Sequence, residues 1–573
     1  MYTIGVGKKE ITGNFKGIGM LGYGKDGNDV LGSETALYSR AFVFEYDQQV
    51  FVLVNAELCF FTLPLRRAIL EWLQQKYPDT FCENNVMLTA QHTHSAPGGI
   101  ADRVFYNTSI PGFKQEVFEA YTEAVLASVE SAWLNKQNAR IFYQEEAFDA
   151  GIKVAFNRSL RAFNANKEIR HKFSNRDKHL AIDRSMKLMH FEDERGDLLG
   201  AINWFGVHAT SISNDNTQIC SDNKGYAASI SEQYVYKNTS KHFVHAFAQE
   251  AAGDVSPNYV WDKQKKWMRG PYENDFESAR HNGQLQADKA HQILAQKNKK
   301  SLKTQIDSHT LYFDWGNITV DPKYTGGKKR ATTSPACIGM SFFSGTQEGP
   351  GVPRWLLQVI RPILEFGKLF EKTLYRASLS KLEKKALDQK FEAQSPKALA
   401  MELGKGRIFW VSKMSRVFFV PDFVDPLVKM FRRLGREGVL DKDPWGPTIL
   451  PLQLSIIGTV AIAGIPAEIT TMAGRRLRQS LLEALEQRGI EKIILSPYAN
   501  AYAGYITTEE EYQLQYYEGG HTLFGKWTLA AFQTKFDQLA QQLLLPKNER
   551  IESTALHPPY CIEKNAIWRG FEA

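Results

Sequence analysis

The sequence is poor in several features that would settle its class quickly. Five cysteines among 573 residues, with no CxxC pair and no regular spacing, argue against a disulfide framework or a thiolate zinc site and favour free thiols in the core. No apolar run approaches the roughly 18 to 20 residues that a transmembrane helix needs; the best candidates, 456–465 and 50–54, have only strand length. Charge of one sign is scarce too. Seventy basic residues stand against 63 acidic ones, a net +7, and no arginine-rich or RNA-binding signature points to nucleic acid as a partner. Local basic clusters still leave room for contact with an anionic membrane. Internal repeats and low-complexity tracts are absent, and Met1 is followed by no basic and then apolar leader. The expectation is a cytoplasmic or peripheral-membrane protein without a secretory signal. What the sequence does have is 43% hydrophobic and 12% aromatic residues, ample for a large core.

The patterning along the chain is α/β. Alternating runs at 41–46 and 50–54, joined by Asp47-Gln48-Gln49, predict a hairpin. Leu65, Ile69, Leu70 and Leu73 give 64–76 a helical period, and 86–90 follows as a short buried strand. A second helix is expected at 115–135. Near the end, 456–465 reads as one buried strand, 471–488 as a helix and 492–495 as another strand.

The most informative segment is Gln91-His92-Thr93-His94-Ser95-Ala96-Pro97-Gly98-Gly99, directly after the strand at 86–90. If the backbone stays extended, residues two apart share a face, so His92 and His94 would aim at one place. Two imidazoles so placed suit a metal and a polar substrate, although histidines at strand ends also serve simply as hydrogen-bonding groups.

Further motifs follow in order: Phe205-Gly206-Val207-His208-Ala209-Thr210-Ser211, Ser221-Asp222-Asn223-Lys224-Gly225-Tyr226, Gly253-Asp254-Val255-Ser256-Pro257-Asn258, Ile465-Pro466-Ala467-Glu468-Ile469-Thr470-Thr471-Met472, and Asn500-Ala501-Tyr502-Ala503-Gly504-Tyr505-Ile506-Thr507-Thr508 running on to Tyr517-Glu518. With Gly5-Val6-Gly7-Lys8-Lys9-Glu10-Ile11-Thr12-Gly13 near the start, these segments resemble the neutral (neutral/alkaline, non-lysosomal) ceramidases, zinc-dependent N-acylsphingosine amidohydrolases. The resemblance runs from about residue 3 to about 530.

That resemblance implies one Zn2+ per chain held by His92, His208, Glu468 and Tyr505, with His94, Arg158, Tyr517 and Ser256 as the remaining polar site residues. Nitrogen and oxygen ligands suit a catalytic zinc, which would polarise the amide carbonyl and acidify water. His94 would stabilise an oxyanion or relay a proton, and Arg158 would supply a fixed cationic donor. Ser256 has two readings: a covalent nucleophile, or a polar neighbour of directly attacking water. Asp254 reads as a turn cap or as a residue that orients a ligand. Ala467 stands where the family usually has glycine before the glutamate.

The implied fold class is α/β, a single large catalytic domain of mixed sheets and helices over 1–535. It would contain a divergent helical insertion at about 350–445, followed by a tail at 536–573 too short for the carboxyl-terminal immunoglobulin-like domain of longer members. Within the insertion, Trp355, Phe366 and Phe370, and then Phe418, Phe419 and Phe431, lie among Arg and Lys residues. These stretches read either as core-facing helices or as an interfacial anchor on a membrane or micelle. The implied substrate is a ceramide-like lipid. The rivals are a zinc amidase for another N-acylated lipid or lipoamino acid, and a non-catalytic lipid-binding homologue.

Overall fold

A computed structural model describes residues 1–552 apart from 26, 108–109, 111, 405–406 and 409–443. Two sheets pack face to face and carry helices on their outer faces. The first contains β1 (Tyr2–Ile11), β2 (Leu37–Tyr46), β3 (Gln49–Ala56), β4 (Val86–Ala90), β5 (Gln137–Ala147), β6 (Ser185–Asp193), β7 (Leu198–Trp204) and β8 (Val244–Ala248). Their spatial order is β8-β7-β6-β5-β1-β2-β3-β4. The second contains β9 (Ile306–Asp314), β10 (Ile449–Ile457), β11 (Val460–Ile465) and β12 (Lys492–Pro497), side by side in chain order. Three adjacent pairs, β3–β4, β7–β8 and β11–β12, are parallel. The longer helices are α1 (Leu63–Lys76), α2 (Gln115–Leu134), α3 (Asp222–Thr239), α4 (Asp275–Leu294), α5 (Arg354–Phe370), α6 (Lys381–Gln394), α7 (Thr471–Ala484) and α8 (Thr528–Leu544).

The period-2 geometry of a strand explains the layering. On β2, Phe42 and Phe44 face the second sheet and pack in one cluster with Ile457, Val460 and Ile462. Ala41 and Val43 face the other way, onto Leu65 and Ile69 of α1 and Tyr121 and Val125 of α2. Both faces are covered, so the strand reads as a nearly unbroken apolar run. On the second sheet the outer face, through Ile456, Ala461 and Leu495, meets Leu477 and Leu481 of α7 and Phe536 of α8.

Local signals account for most boundaries. Thr62 caps α1 by accepting the Leu65 N–H, and Pro64 occupies its first turn. Asp47 (φ 49°) and Gln48 (φ 60°) both adopt left-handed backbone in the β2–β3 hairpin turn, which matches the twist of the flanking strands. The single strand expected at 456–465 is instead the end of β10, a turn and β11. Gly458 (φ 60°) reverses the chain there, and two apolar runs separated by Gly-Thr look continuous in a hydropathy pattern. The helix expected at 471–488 ends at Ala484 and finishes in a tighter turn, Glu486–Arg488. The boundary expected at 535 falls inside α8, whose Phe536, Leu539 and Leu543 are buried in the core. Phe418, Phe419 and Phe431 lie outside the described residues.

One buried charge network ties the first sheet to α3. Arg40, 2% exposed, donates from Nη1 to Glu57 at 2.5 Å and from Nε to Glu232 at 2.8 Å, and Lys8 meets the same Glu232 at 2.7 Å. Removing one partner of such a network strands the others without solvent.

Candidate metal centre

The carboxyl ends of the parallel strands gather at one edge of the two-sheet stack. His92 follows β4, His208 follows β7, Ser256 follows β8, Glu468 follows β11, and Tyr505 follows β12. Crevices outside strand carboxyl ends are where α/β sheets commonly place ligands. The extended-strand argument for His92 and His94 fails in its mechanism. The strand stops at Ala90, and His92 has φ 73°, a left-handed turn residue. That turn nevertheless brings the two rings together, with their Nε2 atoms 3.1 Å apart.

Each imidazole is oriented by a backbone carbonyl. His92 Nδ1 donates to Cys59 O at 2.8 Å, and His208 Nδ1 donates to Ala252 O at 2.7 Å. This fixes the tautomer in which each Nε2 carries the lone pair. The two Nε2 atoms face Glu468, His92 at 3.6 Å from Oε1 and His208 at 3.0 Å from Oε2. The Tyr505 hydroxyl lies 3.5 Å from His208 Nε2. All four residues are nearly devoid of solvent contact. Burial holds the His92 imidazole down at about 4, so it is neutral at ordinary pH.

This donor set fits a metal ion. Two imidazole nitrogens and a carboxylate lie with their ligand atoms within 4.8 Å of one another. A tetrahedral site with bonds of about 2.0 Å has donor–donor edges of about 3.3 Å; His208 lies 3.0 Å from one Glu468 oxygen and His92 3.6 Å from the other, and the Tyr505 hydroxyl 3.5 Å from His208, separations of that size. Tyr498 and Tyr502 donate to Glu468 and orient its carboxylate.

Arg158 is the hub of the surroundings. Its Nε donates to Glu518 at 3.0 Å, Nη1 to Glu348 at 3.1 Å, and Nη2 to Gly253 O at 2.9 Å and the Tyr505 hydroxyl at 3.0 Å. Four of the five guanidinium N–H groups are thus committed within the protein. Ser256, 1% exposed, donates its hydroxyl to Glu348, which Thr210 also approaches at 3.4 Å. Among the described residues no histidine hydrogen-bonds the Ser256 hydroxyl; a carboxylate does. Asp254 caps α7, accepting the Thr471 N–H at 2.7 Å and the Thr471 hydroxyl at 2.8 Å, and takes Asn157 Nδ2 at 2.6 Å. Tyr517 stacks on Phe342, with ring centroids 5.3 Å apart, and stands edge-on to Tyr505 at 5.7 Å. Gly504 (φ 68°) precedes Tyr505, and a Cβ there would sit 2.5 Å from His521 O, so only glycine lets the chain deliver this tyrosine.

A cavity of about 710 Å³ opens beside the hub, lined by Arg158, Tyr517 and Glu518 on one side and by Leu357 and Arg361 of α5 on the other. Glu348, Glu518, Tyr498 and Tyr502 are the site residues that sequence reasoning passed over. A signal for the first was present in Gln347-Glu348-Gly349-Pro350-Gly351, an acidic residue in a turn-forming run beside the segment read as divergent.

The layering and the nitrogen–oxygen donor cluster define an α/β protein with a candidate mononuclear metal centre at its strand carboxyl ends. The comparisons are more specific. The family model for neutral/alkaline non-lysosomal ceramidase, N-terminal, matches residues 2–419 and 434–534. The neutral ceramidase of Pseudomonas aeruginosa is 34% identical over 98% of this chain and 75% of its own length. That of Mycobacterium tuberculosis is 32% identical over 95% and 77%. A solved structure described as ceramidase complexed with C2 superposes with a TM-score of 0.78 at 33% identity, covering 97% of this chain and 77% of its own. The chain belongs to the neutral/alkaline ceramidase family.

Proposed function

We propose that this protein hydrolyses the amide bond of ceramide, releasing sphingosine and a fatty acid, with one zinc ion held by His92, His208, Glu468 and Tyr505. The observation that carries the proposal is the convergence of two carbonyl-oriented imidazoles, one carboxylate and one phenol on a single buried point. Zinc in such a site supplies Lewis acidity towards an amide carbonyl.

The protein's own groups do the rest. Arg158 fixes the Tyr505 hydroxyl and bridges Glu348 and Glu518, so the repulsion between two carboxylates held beside the centre is partly offset by one shared cation. One guanidinium N–H remains for a developing oxyanion. His94 Nδ1 is buried without a hydrogen-bond partner among the described residues, which suits it to meet a substrate atom or pass a proton. Glu348 is the base within reach of Ser256. A covalent route would have it take the hydroxyl proton, whereas a direct-water route leaves Ser256 as the group that positions Glu348. The catalytic unit extends through α8.

Assay of the purified protein against a panel of N-acyl amides, with zinc measured in parallel, tests the proposal. Ceramide cleavage with about one zinc per chain is expected. Active protein free of zinc, or preference for a non-sphingoid amide, would overturn it. Trapping an acyl-enzyme on Ser256 would select the covalent route, and an active Ser256→Ala variant the direct one.

A further inference from the structure

Helix α5 presents an unusual surface. One edge is buried against the body through Leu357, Leu364 and Gly367. The opposite edge carries Trp355, Val359, Ile363, Phe366 and Phe370, and the next turn, Glu371–Tyr375, adds Leu374. These positions are three or four apart, so they form one continuous stripe. Trp355 is 67% exposed, Phe366 64% and Leu374 69%. Single exposed apolar residues are ordinary on a protein surface, but a contiguous aromatic and aliphatic stripe marks a surface that meets a partner.

Three observations identify the partner as a lipid surface. Exposed cations, Arg361 and Lys372, stand on a different face of the same helical segment from the stripe, and a helix with one apolar and one basic face suits the boundary between headgroups and acyl chains. Leu357 and Arg361 of the same helix line the cavity that Arg158, Tyr517 and Glu518 close on the other side. The helix that carries the stripe therefore forms one wall of the cavity beside Arg158. Finally, no helix among the described residues is long and apolar enough to cross a membrane, so contact through these elements would be with one face of it.

We infer that α5 is an interfacial anchor that seats the cavity mouth on an anionic bilayer or micelle. Its purpose rests on the ceramide proposal, because a substrate that resides in a lipid phase must be drawn from it. The test is flotation of the full-length protein with phosphatidylcholine vesicles, with and without phosphatidylserine. Wild-type protein should float with the anionic vesicles, and the Trp355→Ser/Phe366→Ser double variant should bind at least about tenfold more weakly. Lys372→Glu should cost about fivefold on anionic vesicles and nothing on neutral ones. Turnover of a short-chain N-acyl sphingoid base, held below its aggregation concentration, should be unchanged in all variants, while turnover of vesicle-borne ceramide falls with binding. Equal flotation of the double variant and wild type, or no flotation of wild type, would overturn the inference. So would a dimer by light scattering that the double variant abolishes. Loss of the dispersed-substrate activity in wild type would instead defeat the ceramide proposal while flotation still reported on the stripe.

Discussion

The rings around Glu468 and the rings along α5 are the same kinds of residue put to opposite uses. At the centre, Tyr498, Tyr502 and Tyr505 are buried and aim hydroxyls at a carboxylate and an imidazole. On α5, Trp355 and Phe366 are turned outward beside cations. Composition treats the two sets alike. Their neighbours distinguish them: where a polar partner lies within the fold the ring is oriented by it, and where none does the ring is free to meet another phase. Changes at the centre should therefore damage chemistry, and changes on the helix should spare it.

The strongest way to break that contrast is at the donors. Glu468→Gln or His208→Ala should lower amide hydrolysis by roughly 1,000-fold or more and remove the bound zinc. Elemental analysis beside the rate measurement checks both, and a fully active, zinc-free variant would refute the assignment. Next comes Glu348→Ala, which frees Ser256 and removes one of Arg158's carboxylate partners. A loss of about 100- to 1,000-fold in kcat is expected, with partial recovery in Glu348→Asp; an unchanged kcat would remove Glu348 from the site.

Stability tests extend the comparison to buried charge. Arg40→Met leaves Glu57 and Glu232 without their shared cation, and about 3–5 kcal/mol should be lost in urea unfolding. Acid acts on the same kind of pair. Burial alone would raise Asp183 and Glu232, but Lys187 and Arg478 hold the first below its ordinary value, and Arg40 and Lys8 hold the second. A carboxyl lowered in the folded state stabilises fully above its unfolded pKa and loses that contribution as pH falls through the folded one. The contributions of Asp183 and Glu232 should thus be complete near neutrality and be lost below about pH 4, as a melting series of wild type beside Arg478→Met would show for the first. Arg478→Met should lessen that loss. The smallest effect belongs to the helix: Trp355→Ser should change unfolding free energy by no more than about 0.5 kcal/mol, whereas a large loss would mean that the ring is packed.

How much of this was legible in the sequence depended on the range of the cause. The β2–β3 hairpin, α1 and α2 were readable because period and turn chemistry are local. The split of 456–465 was missed because the glycine between two buried strands is a single residue in an apolar background. The proposed donors His92, His208, Glu468 and Tyr505 were nameable only through family resemblance, since no spacing links residues that meet from four separate strand ends. Glu348 went unnoticed for the complementary reason: it is remote in sequence from Ser256 and Arg158, and its importance is purely spatial. The stripe on α5 was visible as a pattern, but only the structure tells which edge the body covers.

The face-to-face stack of sheets also sets an order of events during synthesis. Phe42, Phe44, Phe51 and Leu53 belong to strands made early, yet they are covered by Ile457, Val460, Ile462 and Ile494, which are made late. Until the second sheet has left the ribosome, the first sheet has a bare apolar face and no means of closing it. Nascent chains halted before β10 should consequently be sticky, chaperone-dependent species. A protein whose site is assembled from segments as far apart as His92 and Tyr505 is thereby inactive, and exposed, until both have been made.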